Sequence, residues 1–118
     1  MSQPNAGGAA DAARVVLITA PDLETARKLA RELVEARAAA CANIVPGLTS
    51  IYRWQGAVQE DQEVLLVVKA RADTLAELER VVARVHPYEV PEIVALHPAE
   101  VERRYLSWWL AETGNAAG

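Results

Sequence analysis

The sequence predicts an α+β fold: a ferredoxin-like βαββαβ two-layer sandwich with an extra C-terminal helix. Three observations lead there. Short β-branched apolar runs alternate with stretches whose apolar residues recur at spacings of three and four. Proline, glycine and capping residues separate these segments cleanly. Their order, β-α-β-β-α-β, contains the split βαβ arrangement in which both helices cover one face of one sheet.

Each element has its own warrant. Val15-Val16-Leu17-Ile18 is an apolar run that stops at Ala20-Pro21, a strand delivered into a turn. Asp22 is an N-cap, and Leu23, Ala26, Leu29, Ala30, Leu33 and Val34 form one stripe of a first helix reaching about Arg37. Cys41 to Trp54 reads as a long second strand, with a bulge where Pro46 lacks a donor and Gly47 is free to bend. Gln55-Gly56 turns the chain. Glu63 to Ala70 forms a third strand around Val64-Leu65-Leu66-Val67-Val68. Asp73 or Thr74 caps a second helix carrying Leu75, Leu78, Val81, Val82 and Val85, which Pro87 ends. A fourth strand covers Glu92 to Leu96, and a last helix aligns Val101, Tyr105, Trp108 and Trp109. Residues 1–13 read as a disordered leader, 14–113 as a single domain and 114–118 as a tail.

In such a sandwich the sheet face away from the helices is normally wet, and its strands alternate. Here strands 1, 3 and 4 are continuously apolar, which predicts that partner subunits cover the second face. A homo-oligomer is therefore expected, with the edges of the long hairpin available for pairing between subunits.

Composition narrows the function. The 118 residues are 52% hydrophobic and 24% charged, with no Phe, and the formal net charge is −4. Without a Lys/Arg cluster there is no footprint of a phosphate-backbone binder, so nucleic acid is not an expected partner. No apolar run reaches the length of a membrane span, and the first residues have neither the basic nor the apolar region of a secretion signal; a cytoplasmic protein is expected. Cys41 is the single cysteine, so no intrachain disulfide forms. There is no Walker sequence, no G-x-G-x-x-G and no nucleophile elbow, so nucleotide-dependent and α/β-hydrolase chemistry lack their signatures; no enzyme is expected, an enzyme with Cys41 as nucleophile being the poorer alternative.

The chemistry-bearing residues concentrate in His86-Pro87-Tyr88-Glu89-Val90-Pro91-Glu92, where two prolines stiffen a connector that displays an imidazole, a phenol and carboxylates. His86 either caps the negative end of the second helix or serves as a ligand, two roles the sequence leaves open. Cys41 is a small thiol whose ordinary use is packing, although paired with His86 it is apt for copper or zinc. Glu60, Asp61 and Glu63 crowd the third strand; Glu63 abuts the apolar run, a border at which a carboxylate commonly meets a partner. His97 carries no assigned role. Tyr52, Trp54, Tyr88, Tyr105, Trp108 and Trp109 could stack on a planar ligand, while core and interface packing is their commoner use.

Taken together, Thr19-Ala20-Pro21-Asp22, Ala40-Cys41-Ala42-Asn43-Ile44-Val45-Pro46-Gly47, Ser50-Ile51-Tyr52-Arg53-Trp54-Gln55-Gly56, Glu63-Val64, the His86 to Glu92 connector and Tyr105-Leu106-Ser107-Trp108 resemble the CutA divalent-cation-tolerance family, in order and spacing, from about Val15 to Glu112. The resemblance implies a homotrimer whose sheets pack together and a link to tolerance of copper and other divalent metals. It further implies that Cys41, Glu63, His86, Tyr88 and Glu92 lie near clefts between subunits. His86, Cys41, Glu63 and Glu92 are the expected metal donors, and Tyr88, Trp54, Tyr105 and Trp108 the expected cleft residues. The copper-binding form of the family has a Cys near the end of strand 1 and a His pair before the Pro-Tyr step. This chain has Ile18 and Val85 there, so of that set only His86 remains. A trimeric small-molecule sensor and a ligand-free oligomeric scaffold are the alternative functions.

Overall fold

In a computed structural model, which describes residues 10–114, the chain folds as β1 (Ala13–Ala20), α1 (Leu23–Glu35), β2 (Ala39–Trp54), β3 (Ala57–Arg71), a 3-10 turn (Ala72–Thr74), α2 (Leu75–Val85), β4 (Ile93–Leu96) and α3 (Arg103–Ala111). Most of the expected leader and tail lies outside the described residues; Ala10 is buried, and β1 already begins at Ala13. The four strands form one sheet in the order β2-β3-β1-β4, with every neighbouring pair antiparallel. Each βαβ crossover thus skips one strand, the split arrangement anticipated from the element order.

Asp22 starts α1, its carboxylate accepting a 2.7 Å hydrogen bond from the Thr25 amide. The helix stops at Glu35, two residues short of the predicted Arg37, because Arg37 adopts a left-handed backbone (φ 59°). Its amide bonds the Val34 carbonyl while that of Ala38 bonds Leu33, the pair of bonds that closes a helix C-terminus. An arginine tolerates this conformation here because its guanidinium bonds the carbonyls of Ala111 (2.7 Å) and Gly114 (2.8 Å), fastening the end of α3 to the end of α1.

β2 and β3 make a hairpin far longer than the apolar runs suggest. β3 begins at Ala57 and not at Glu63, since Gln55 and Gly56 both take positive φ (51° and 83°), the twist that suits a tight hairpin. Register then runs from Trp54 opposite Ala57 to Leu48 opposite Glu63. Residues 57–62 are exposed, so burial leaves no alternating pattern there to read. The expected bulge appears as a register shift between Val45 and Leu48, with Gly47 at φ 86°.

Thr74 begins α2, but its hydroxyl does not bond the helix amides. It accepts from the Arg71 amide (3.1 Å) and donates to the Ala38 carbonyl (2.9 Å), tying α2 to the start of β2. The predicted last helix loses Val101: α3 is capped by Glu102, whose carboxylate accepts from the Tyr105 amide at 2.9 Å.

One core lies between α1, α2 and the inward face of the sheet, where Val16, Ile18, Leu29, Leu33, Leu66, Val68, Leu78, Val81 and Val82 are fully buried. A second, smaller one lies on the opposite face, where Leu106 and Trp109 of α3 cover Ala13 and Ala40. Trp109 fixes that helix by donating from Nε1 to the Ala70 carbonyl at 2.7 Å. α3 covers only that end. Beyond it the face carries Leu17, Leu65 and Val67, half-buried, with Val45, Val94 and Leu96 exposed, as register alternation dictates.

Candidate functional site

Beyond the end of this open face, the outer half of β2 from Ser50 to Trp54, Glu63 of β3 and the connector between α2 and β4 flank a cleft of about 750 Å³. Helix termination builds one wall. α2 ends when the His86 amide bonds Val82 (2.8 Å), and Pro87 then forbids another turn. The His86 ring, buried, turns back to the sheet: Nε2 lies 2.7 Å from the Thr19 carbonyl, and Nδ1 lies 3.1 Å from the Tyr88 amide. A carbonyl only accepts and an amide N–H only donates, so the ring is neutral with its proton on Nε2. The imidazole is thereby a strut between β1 and the connector. Both ring nitrogens are thus engaged by backbone groups, Nε2 toward Thr19 and Nδ1 toward Tyr88, and the ring as placed turns no free lone pair toward the cleft.

The strut aims Tyr88. Its ring lies 4.7 Å from that of His86, and its hydroxyl donates to Glu63 Oε2 at 3.1 Å. Glu63 is only 8% exposed, and no side-chain oxygen or nitrogen among the described residues is buried without a partner, so Oε1 opens into the cleft. Partial burial, then the bond to Glu63 and the nearby negative charges, push the Tyr88 phenol up to about 12. Tyr52 donates to Asp61 in the same manner, which raises its pKa above the ordinary value. Trp54, Glu89 and Glu92 also line the cleft, as do Thr19 and Pro91 and the apolar Ile51 and Val90.

Of the residues expected at a site, Glu63, Tyr88, Glu92 and Trp54 therefore share the cleft, with His86 behind it. Cys41, Tyr105 and Trp108 do not. Cys41 sits opposite Lys69, six residues along β3 from Glu63, roughly 20 Å away at strand rise. There its sulfur lies 3.8 Å from Asn43 Oδ1, which also accepts from Lys69, and it adjoins Tyr105. Tyr105 stacks on Trp108 at 5.4 Å between centroids. Among the described residues no three His, Cys, Asp or Glu side chains gather as a metal site requires, so one chain does not complete the expected donor set. Sequence reasoning gave no site role to Thr19, Ser50, Ile51 or Val90, which also line the cleft, and it named Asp61, Glu89 and Tyr52 without the pairing of Tyr52 with Asp61. The tight Gln55-Gly56 turn was the available signal, since it fixes Ser50 opposite Asp61 and places Tyr52 diagonally across from it.

Fold and cleft define a class: ferredoxin-like sandwiches with an uncovered apolar sheet face and an acidic, aromatic cleft at its end. Comparison with known proteins narrows it. The sequence model of the CutA1 divalent ion tolerance protein family matches residues 14–112. The divalent-cation tolerance protein CutA of Thermus thermophilus is 60% identical over 100 residues, covering 85% of this chain and 97% of that protein. A solved structure of the divalent cation tolerance protein from T. thermophilus superposes with a TM-score of 0.85 at 59% identity, covering 86% of this chain and 99% of that one. CutA1 from Oryza sativa gives 0.85 at 39% identity, with 88% and 95% covered. The chain belongs to the CutA1 divalent ion tolerance family. It spans about half the length of some curated relatives, such as the chloroplastic CutA of Arabidopsis thaliana, 44% identical over 86% of this chain and 56% of that protein. Among the described residues no helix is long and apolar enough to cross a membrane.

Proposed function

We propose that this chain acts in divalent-cation tolerance as a cytoplasmic, non-catalytic homotrimer joined through its open sheet face. Copper or another divalent cation is held where the clefts of neighbouring subunits adjoin. Glu63 and Glu92 supply oxygen donors from one subunit, and Cys41 of the next supplies sulfur. The observation that carries this reading is Glu63, a nearly buried carboxylate that turns one oxygen into a cleft and has no cationic partner among the described residues. The separation of Cys41 from Glu63 within the chain supports a site shared between copies. With Ile18 and Val85 where thiolate and imidazole would favour copper, carboxylate oxygens weigh more in the choice of ion.

Calorimetric titration of copper and zinc into the size-verified oligomer, under reducing conditions, tests it. Saturable binding that is lost in Glu63→Gln and weakened in Cys41→Ser is the expected result. Binding unchanged in both variants, or no binding to the parent, would overturn the metal assignment.

A further inference from the structure

We infer that the same cleft binds a small organic cation, a primary ammonium on an aliphatic stem such as a diamine, in competition with metal. The inference rests on the reading above that the cleft is the functional site, and it adds a ligand class. Glu63, Glu89 and Glu92 line the cleft together with the rings of Tyr52, Trp54 and Tyr88, and no Lys or Arg lines it. Among the described residues none of these carboxylates, nor Asp61 behind Tyr52, takes part in an ion pair. A carboxylate as buried as Glu63 is costly without a counter-charge, and its one hydrogen bond, from Tyr88, brings none.

The geometry suits an ammonium better than a bare ion. A metal needs several donors converging on one point, whereas these carboxylates are spread around a space of about 750 Å³, within the range of small-molecule sites. The phenols already direct their protons at carboxylates, Tyr88 at Glu63 and Tyr52 at Asp61. The exposed parts of the Tyr52 and Trp54 rings, and the side of Tyr88 away from His86, are left for the cation and its methylenes. An ammonium brings N–H donors to the open carboxylate oxygens, and a second amine on a short stem reaches Glu89 or Glu92. Anionic ligands are repelled by the same lining. Pro87 and Pro91 hold the wall in place, so little order need be imposed on binding.

The test is titration of 1,5-diaminopentane into the full-length oligomer, followed by calorimetry and by Trp fluorescence, beside a parallel zinc titration. Saturable diamine binding is expected, at least tenfold weaker in Glu63→Gln and in Trp54→Ala. The double variant Glu89→Gln/Glu92→Gln changes only carboxylates outside the core, so its expected tenfold loss does not depend on folding. Zinc binding without diamine binding overturns this inference and leaves the metal reading intact; diamine binding without zinc binding does the reverse. Diamine affinity equal in parent and double variant, or a crystal structure of the oligomer with a neighbouring subunit's Lys or Arg seated on Glu63, also overturns it.

Discussion

Replacing His86 with alanine removes the strut between β1 and the connector, and the cost can be worked from its contacts. The Thr19 carbonyl, in a buried residue, loses its 2.7 Å partner, which costs about 1–3 kcal/mol. The Tyr88 amide sits in a half-exposed connector where water replaces Nδ1, so its loss is about 0.5 kcal/mol. Loss of the ring contact with Tyr88 adds about 0.5–1.5 kcal/mol. The expected destabilisation is about 3 kcal/mol, measured by urea unfolding of metal-free protein at fixed protomer concentration, because the stability of the proposed oligomer depends on concentration. Two further variants divide the effect. His86→Gln can still reach Thr19 with an amide N–H and is expected to lose about 1.5 kcal/mol; His86→Asn keeps an acceptor for Tyr88 and loses about 2 kcal/mol. If His86 were solely a metal ligand, metal-free stability would not move. His86→Ala within about 0.5 kcal/mol of the parent, or Gln no better than Ala, would refute the strut.

Three other outcomes follow from the geometry. Glu63→Gln is expected to lower the Tyr88 pKa from about 12 toward 10.0, leaving the part due to burial; an unchanged phenolate absorbance titration would show that Glu63 does not act on it. If the proposed trimer joins through the open face, Leu17→Asp, which places a charge in its middle, is expected to yield monomers of native secondary structure; light scattering that reports the same oligomer for parent and variant would remove that face from the proposed interface. The cap carboxylates of Asp22 and Glu102 are held below their ordinary values of 3.8 and 4.5 by backbone hydrogen bonds from Thr25 and Tyr105. Groups depressed on folding stabilise above their ordinary pKa, and that contribution is lost as pH falls through the folded value. Asp22→Ala should therefore destabilise at neutral pH and flatten the acid limb; an acid limb as steep as the parent's would contradict the cap.

Most of the architecture was legible because local chemistry and burial agree. The Asp22 cap, the Pro87 stop and the apolar stripes of α1 and α2 each point the same way as the packing. Boundaries failed where burial was silent or backbone geometry intervened. β3 runs six residues further toward the turn than its apolar stretch because the hairpin there is wet on both faces, and Arg37 ends α1 through a side-chain clamp on residues distant in sequence. The site was half legible. Glu63 at its apolar border and the Pro-flanked connector were readable, and they do meet. That His86 spends both nitrogens on the backbone was not readable, since Thr19 comes beside it only through the crossover. Nor was the distance from Cys41 to Glu63, which depends on register and not on residue type.

The topology also predicts an order of assembly. The hairpin strands of 16 and 15 residues pair outward from adjacent residues at Gln55-Gly56, so each new rung closes a loop only slightly longer than the last. Such a zipper forms on a timescale of roughly 1–10 μs. β4, by contrast, meets β1 through four residues whose partners lie at the opposite end of the chain, as with Val15 and Leu96, so that rung waits for nearly everything between them. The cleft has one wall from the early hairpin and one from the connector that leads into β4. It is consequently among the last features to be completed, and a molecule with an intact arm and an unseated β4 would lack one wall of the cleft.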